Sequence, residues 1–210
     1  ALDNDEGLNT GGMGTIAPNP YYTADIAKEC METIFVPTIE AMKSEGRTFK
    51  GCLYFGLMLT PNGPKVIEYN CRFGDPETQA VLPLMDFDFA DMCKAIINGT
   101  LKDFDFKWKD GFSCAPVAVS GGYPEEYKKG YEISINSETV EKTGTKIFIA
   151  GGKIENDKLV TSGGRVLAAS SFGKTFDEAW QNSYKALEAV SFTDMFYRKD
   201  IGLPGAAESL

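Results

Sequence analysis

The sequence predicts an α+β chain in two successive parts: helices around a β-hairpin, then a series of short strands finished by one amphipathic helix. Three patterns carry this reading. Ile26, Cys30, Ile34 and Ile39 recur at roughly helical spacing between Thr23 and about Ser44. The nearly all-apolar run Gly51–Leu59 is followed by the turn Pro61-Asn62-Gly63-Pro64 and a returning strand, Lys65–Cys71. Beyond residue 112, short strand signals alternate with glycine pairs at regular intervals, as in a small barrel or sandwich.

Taken in order, residues 1–22 are rich in Gly, Asn and Pro and read as irregular. Thr23 is placed as a helix N-cap, Pro37 should kink or split the helix, and Gly46 should end it. Gly51–Leu59 reads as a central strand covered on both faces. Glu77–Met85 and Asp88–Asn98 read as short helices, the second stopped by Gly99. Thr100–Gly111, charged and aromatic, reads as a linker. Strands are expected at Ser113–Val119, Tyr131–Ile135, Thr145–Ala150, Lys158–Val160 and Arg165–Ser171. Gly121-Gly122, Gly151-Gly152, Asn156-Asp157 and Gly163-Gly164 punctuate them. The closing helix is Thr175–Val190, with Ala179, Trp180, Ser183, Leu187 and Val190 inward, and the tail after Gly202 is expected to be unstructured.

Composition narrows the function. With 21 Lys and Arg against 30 acidic residues the net charge is −9, a poor basis for non-specific nucleic-acid binding. The longest apolar run is far short of a membrane span. There is no histidine, which removes histidine general acid–base chemistry, Ser-His-Asp triads and histidine metal sites. Cys30, Cys52, Cys71, Cys93 and Cys114 are widely spaced and form no Cys-x-x-Cys pair, so buried free thiols in a reducing cytoplasm are expected. The chain opens in a polar loop without an initiator Met or a secretory signal, and reads as a piece of something longer.

The densest chemistry lies in Lys65-Val-Ile-Glu-Tyr-Asn-Cys-Arg-Phe-Gly-Asp-Pro-Glu77. Strand alternation puts Val66, Glu68 and Asn70 on one face. A carboxylate and an amide oxygen two residues apart suit Mg²⁺, which is commonly shared with nucleotide phosphates. Arg72, Asp75 and Glu77 follow at once, shaped by Gly74 and Pro76. The bland alternative is a structural loop in which Arg72 bridges Asp75 and Glu77. Asn9-Thr10-Gly11-Gly12-Met13-Gly14 is either a flexible turn or a cradle whose N–H groups hold a phosphate or ribose phosphate. It lacks the Gly-Lys-Ser/Thr of a Walker A loop. Arg165, behind Gly163-Gly164, is either an ordinary hairpin arginine or a fork that reaches a phosphate oxygen. Lys146 lacks the tight-turn setting of a biotinyl or lipoyl lysine.

These residues closely resemble the phosphoribosylamine–glycine ligase (glycinamide ribonucleotide synthetase) family, ATP-grasp enzymes of purine biosynthesis. Four stretches carry the resemblance: Asn9–Gly14; Val66–Gln79; Gly121-Gly-Tyr-Pro124 with Gly163-Gly-Arg-Val-Leu167; and Tyr197-Arg-Lys-Asp-Ile-Gly202. The resemblance implies half of an ATP-grasp core, an antiparallel sheet with helices, over residues 1–100. A linker at 101–111, a small β-barrel-like domain with one helix at 112–202 and a tail at 203–210 would follow. It implies ATP, glycine and 5-phosphoribosylamine as substrates, Mg²⁺ or Mn²⁺ as cofactor, no nucleic-acid or membrane partner, a cytoplasmic location, and a missing amino-terminal half. Glu68 and Asn70 would be the metal ligands. Arg72 and Asp75 would orient glycine or its acyl phosphate, while Asn9, Thr10, Gly11, Gly12, Met13 and Gly14, with Arg165, would meet the other substrate. Leu8 stands where the family usually has Pro, and Ile149-Ala-Gly-Gly152 where it commonly has His-Ala-Gly-Thr. Two other readings stay open: a related ATP-grasp ligase with a different acceptor, and a non-catalytic interaction fragment.

Overall fold

The computed structural model describes residues 1–203; the expected tail lies, from residue 204 on, outside the described residues. In chain order the elements are β1 (Gly14–Ala17), α1 (Ala24–Cys30), α2 (Val36–Ser44), β2 (Tyr54–Thr60), β3 (Gly63–Asn70), α3 (Glu77–Val81) and α4 (Phe89–Asn98). There follow β4 (Phe112–Val119), β5 (Ser134–Ile135), α5 (Ser137–Lys142), β6 (Lys146–Ile149), β7 (Gly152–Glu155), β8 (Lys158–Thr161), β9 (Arg165–Gly173), α6 (Phe176–Glu188) and β10 (Val190–Ser191). The chain forms two compact units. One comprises Ala1–Ala17, Asp75–Met85 and the residues from Lys109 onward; the other comprises Pro18–Gly74 and Asp86–Trp108.

The first unit is built on an antiparallel sheet in the order β1-β4-β9-β6. Its central strands are buried almost throughout, from Ser113 to Val119 and from Val166 to Ser171, because α6 packs on them. The sheet and the ribbons β5/β10 and β7/β8 stay open and do not close into a barrel. Helix α6 forms where expected. The Thr175 hydroxyl accepts the Glu178 N–H at 3.2 Å, the Glu178 carboxylate accepts the Lys174 N–H at 2.7 Å, and Asp177 adds acid to the first turn. Ala179, Ser183, Tyr184, Ala186 and Leu187 are its buried face. Leu187 is fully buried against Val166, Leu167 and Val190, a burial that contributes about 2 kcal/mol. Trp180 lies at the margin, its indole N–H donating to the Ile201 carbonyl at 3.1 Å.

Four elements here are absent from the sequence reading: β1, α5, β7 and β10. Residues 14–17 read as irregular, yet as β1 they pair with β4 from Gly14↔Pro116 to Ala17↔Ser113. Besides α3 and α6 the unit holds the helix α5, whose six residues are too short for a periodic signal; Asn136 caps it by accepting the Thr139 N–H at 3.1 Å.

In the second unit, Thr23 caps α1 through the Ile26 N–H at 3.4 Å. The α-helix is interrupted just ahead of Pro37, in keeping with the expected split. Pro37 lies in the first turn of α2, directly after a wide π-helical turn at Met31–Phe35, where the proline's missing donor is accommodated. β2 and β3 pair as the expected hairpin, with a register shift between Gly56 and Leu57. The expectation of a central, doubly covered strand at Gly51–Leu59 is corrected. β2 belongs to a two-stranded ribbon, and Met58 and Leu59 are 53% and 40% exposed. Hydrophobicity alone did not say which faces find a partner. α4 is framed by the Asp88 carboxylate, which accepts the Ala90 N–H at 2.7 Å, and by left-handed Gly99. Phe104, Phe106 and Trp108, read as linker, pack edge-on around Phe87 at 5.4–5.6 Å.

Candidate functional site

Glu68 and Asn70 end β3 on one face, as alternation requires. The Asn70 amide nitrogen donates to Glu68 Oε1 at 2.9 Å. Gly56 faces Glu68 across the hairpin, and a Cβ there would come within 2.8 Å of Glu68 Cγ. An isolated glycine in an apolar strand is a signal of close approach. That signal is legible in the sequence. Arg72, just beyond the strand, donates from Nη1 to the Phe73 carbonyl at 3.0 Å.

The pair fits a hard divalent cation. Both side chains supply oxygen donors, and rotation of the Asn70 amide exchanges its nitrogen for Oδ1. No cluster of three or more His, Cys, Asp or Glu suited to a metal occurs among the described residues. Two protein oxygens suffice for such a cation when water and phosphate complete its shell.

The glycine loop, Asp75 and Arg165 come together in the other unit. Arg165 starts β9 and crosses to the loop. Its Nη1 donates to the Gly11 and Asp75 carbonyls at 2.7 Å each, and to the Gly12 carbonyl at 3.4 Å. Its Nη2 meets Asp75 Oδ2 at 3.3 Å. The second Asp75 oxygen accepts from Gln79 Nε2 at 2.8 Å. The Gly11 N–H donates to the Tyr123 hydroxyl at 3.3 Å, and the Gly12 N–H to Thr10 Oγ1 at 3.1 Å. Gly12 has φ +117°, and a Cβ there would lie 2.5 Å from Pro76 Cδ, so only glycine fits. Met13 is buried and its carbonyl accepts the Val117 N–H at 2.9 Å, which anchors the loop's far end to the sheet.

Beside this loop is a hollow of about 290 Å³ whose lining includes Asn9, Thr10, Gly12, Gly14, Asp5 and Arg198. Arg198 was not singled out from the sequence, although its motif was. Its Nε and Nη2 grip Asp200 at 2.7 and 2.8 Å, and Nη2 also meets Asp5 at 2.8 Å. That guanidinium, with the Asn4 N–H, holds the Asp200 carboxyl down to about 2.

The predicted residues therefore fall into two groups. Glu68, Asn70 and Arg72 lie in the unit of Pro18–Gly74, and Asn9–Gly14, Asp75 and Arg165 lie in the other.

Residues 1–78 match the ATP-grasp (A) domain of phosphoribosylglycinamide synthetase, and residues 113–204 match the C domain of the same enzyme. Together the two matches cover well over half of the chain. The chain belongs to the phosphoribosylglycinamide synthetase family. Over 201 residues it is 48% identical to a phosphoribosylamine–glycine ligase of Clostridium acetobutylicum, an alignment that takes in 96% of this chain and 47% of that protein. A relative of the same name from Caldanaerobacter subterraneus is 47% identical over 199 residues, 95% of this chain and 47% of that protein. The chain thus spans about half the length of the curated relatives it matches. Among solved structures, the phosphoribosylamine–glycine ligase of Thermotoga maritima superposes with a TM-score of 0.80 at 36% identity, over 95% of this chain and 49% of that one. A biotin carboxylase from Campylobacter jejuni superposes with a TM-score of 0.57 at 15% identity, over 91% of this chain and 41% of that one. That second likeness is one of fold. The chain is α+β, as its sequence predicts.

Proposed function

We propose that this chain is part of a phosphoribosylamine–glycine ligase, which joins glycine to 5-phosphoribosylamine at the expense of ATP. The Glu68–Asn70 oxygen pair at a strand end, in a chain of this family, is the observation that carries the reading. A glycine carboxylate oxygen attacks the γ-phosphorus, giving glycyl phosphate and ADP. The amine of 5-phosphoribosylamine then attacks the acyl carbon, phosphate leaves, and the new amide nitrogen loses a proton. Phosphoryl transfer asks for positioning and charge neutralisation and needs no nucleophilic side chain, which accords with a chain without histidine.

Glu68 and Asn70 would hold Mg²⁺ or Mn²⁺, which when bound neutralises phosphate charge. Arg72 and Asp75 orient glycine and its acyl phosphate. Asn9, Thr10, Gly11, Gly12, Met13 and Gly14 receive 5-phosphoribosylamine, and Arg165 completes that side. The reading divides the chain into an ATP-grasp part over residues 1–100, a linker at 101–111 and a C-terminal domain at 112–202; matches over residues 1–78 and 113–204 support the first and last of these. No helix among the described residues is long and apolar enough to cross a membrane, and the reading places the enzyme in the cytoplasm with its other half.

Turnover of the full-length protein with 5-phosphoribosylamine, ATP and glycine tests this. Glycine-dependent release of ADP is expected. Activity with another carboxylic acid and none with glycine would move the assignment to a different ATP-grasp ligase. The 210 residues alone are expected to be inactive, because the nucleotide cleft of an ATP-grasp enzyme takes walls from both halves.

A further inference from the structure

One guanidinium holds both the glycine loop and Asp75. Arg165 binds Gly11 and Gly12 through their carbonyls, and Asp75 through its carbonyl and its carboxylate. The proposed function gives these two segments to different substrates, the loop to the amine and Asp75 to glycine. From this geometry we infer that Arg165 is a positioning residue that couples the two substrate sites, so that filling one raises affinity at the other.

The loop's far end is fixed by buried Met13 and by the pairing of Gly14 in β1, but its first half has few other holds. Asn9 and Gly11 are exposed, and glycines supply three of its six residues. The Gly12 N–H is used within the loop, on Thr10. Beyond the loop, Gly11 is held by the Tyr123 phenol and by Arg165. A ligand that orders this loop fixes the Gly11 and Gly12 carbonyls and with them the position of the fork. The same fork sets the direction of the Asp75 carboxylate, whose other oxygen is steadied by Gln79. The first ligand therefore meets the ordering cost for both segments, and the second binds a site already arranged. Linkage makes the effect reciprocal in binding. Lysine at 165 would keep the charge but lose the planar fork that spans two segments at once.

This inference rests on the substrate assignment above, and the experiment separates the two. Dissociation constants for glycine are measured in the full-length enzyme with Mg-ADP, with and without ribose 5-phosphate, which lacks only the reacting amine. The wild type should bind glycine about five-fold or more tighter when ribose 5-phosphate is present. In Arg165→Lys and Arg165→Ala that factor should fall to about one. Hydrogen exchange gives a second readout. Peptides covering 9–14 and 75–79 should gain deuterium together in both variants, while Lys158→Ala, an exposed cation paired with Glu132, changes neither. Glycine binding that ignores ribose 5-phosphate in the wild type, or a factor that survives in Arg165→Ala, would overturn the coupling. Exchange that rises in one segment alone would do the same. A folded wild type that binds neither ligand would instead sink the substrate assignment, and the coupling with it.

Discussion

The Asn70 amide nitrogen donates to Glu68 Oε1 at 2.9 Å, so two residues on one strand face meet side by side, and a turn of the amide would set Asn70 Oδ1 beside the carboxylate. A cation held there depends on the Glu68 charge more than on its shape. Glu68→Gln, nearly isosteric, should weaken Mg²⁺-dependent ADP binding by the full-length protein at least about ten-fold, as loss of one charged contact does. Thermal stability should hardly change, since the pair is solvent-facing. Calorimetric titration with and without Mg²⁺ checks this.

Gly12 admits no side chain. At φ +117°, with Pro76 Cδ 2.5 Å from a built Cβ, Gly12→Ala must displace the loop or the proline. A loss of about 1–3 kcal/mol in urea unfolding is expected. Gly46→Ala, at φ +73° with open space around it, should cost about 1 kcal/mol, from the backbone alone.

The Arg198–Asp200 pair gives stability a pH dependence of definite sign. Asp200 is held at about 2, below its ordinary 3.8, by the Arg198 guanidinium and then by the Asn4 N–H. A carboxylate depressed in the folded state stabilises above its unfolded pKa, and that contribution is lost as pH falls from about 4 to about 2. Asp200→Asn should flatten this part of the stability curve. At neutral pH it should cost about 1–3 kcal/mol, because Arg198 keeps only Asp5. Denaturant titrations at a series of pH values decide it.

Thiol labelling should follow burial. The expectation of buried thiols holds for Cys30 and Cys114 and is corrected at Cys71, which is exposed just beyond the end of β3. Burial pushes the Cys114 thiol up to about 11, the Ser183 hydrogen bond opposing it. Iodoacetamide at pH 8 should modify Cys71 in the native protein and reach Cys114 only after unfolding. Mass spectrometry of the digested protein reads the order.

Much of this was legible in the residues. Thr175 and Gly99 marked helix ends because caps act locally, and the β2/β3 hairpin announced itself through Pro61–Pro64. The face shared by Glu68 and Asn70 followed from the two-residue period of a strand. What escaped depends on partners distant in sequence. β1 is a strand because β4, about a hundred residues later, receives it. Gly51–Leu59 looked central because apolarity reports the wish for burial and not its fulfilment. Arg165 was noticed as a fork, but its acceptors were carbonyls of Gly11, Gly12 and Asp75, which no side-chain pattern advertises. Arg198 stood in a recognised stretch without a role, because its two aspartates lie on opposite ends of the chain.

The hairpin β2/β3 carries one practical corollary. Met58, Leu59, Ile67 and Tyr69 are exposed on a ribbon with no third strand paired to it among the described residues. Open strand edges beside greasy side chains recruit copies of themselves. Purified alone at high concentration, the polypeptide should form oligomers that a charge such as Ile67→Lys suppresses, so the hairpin is the first place to intervene when preparing samples.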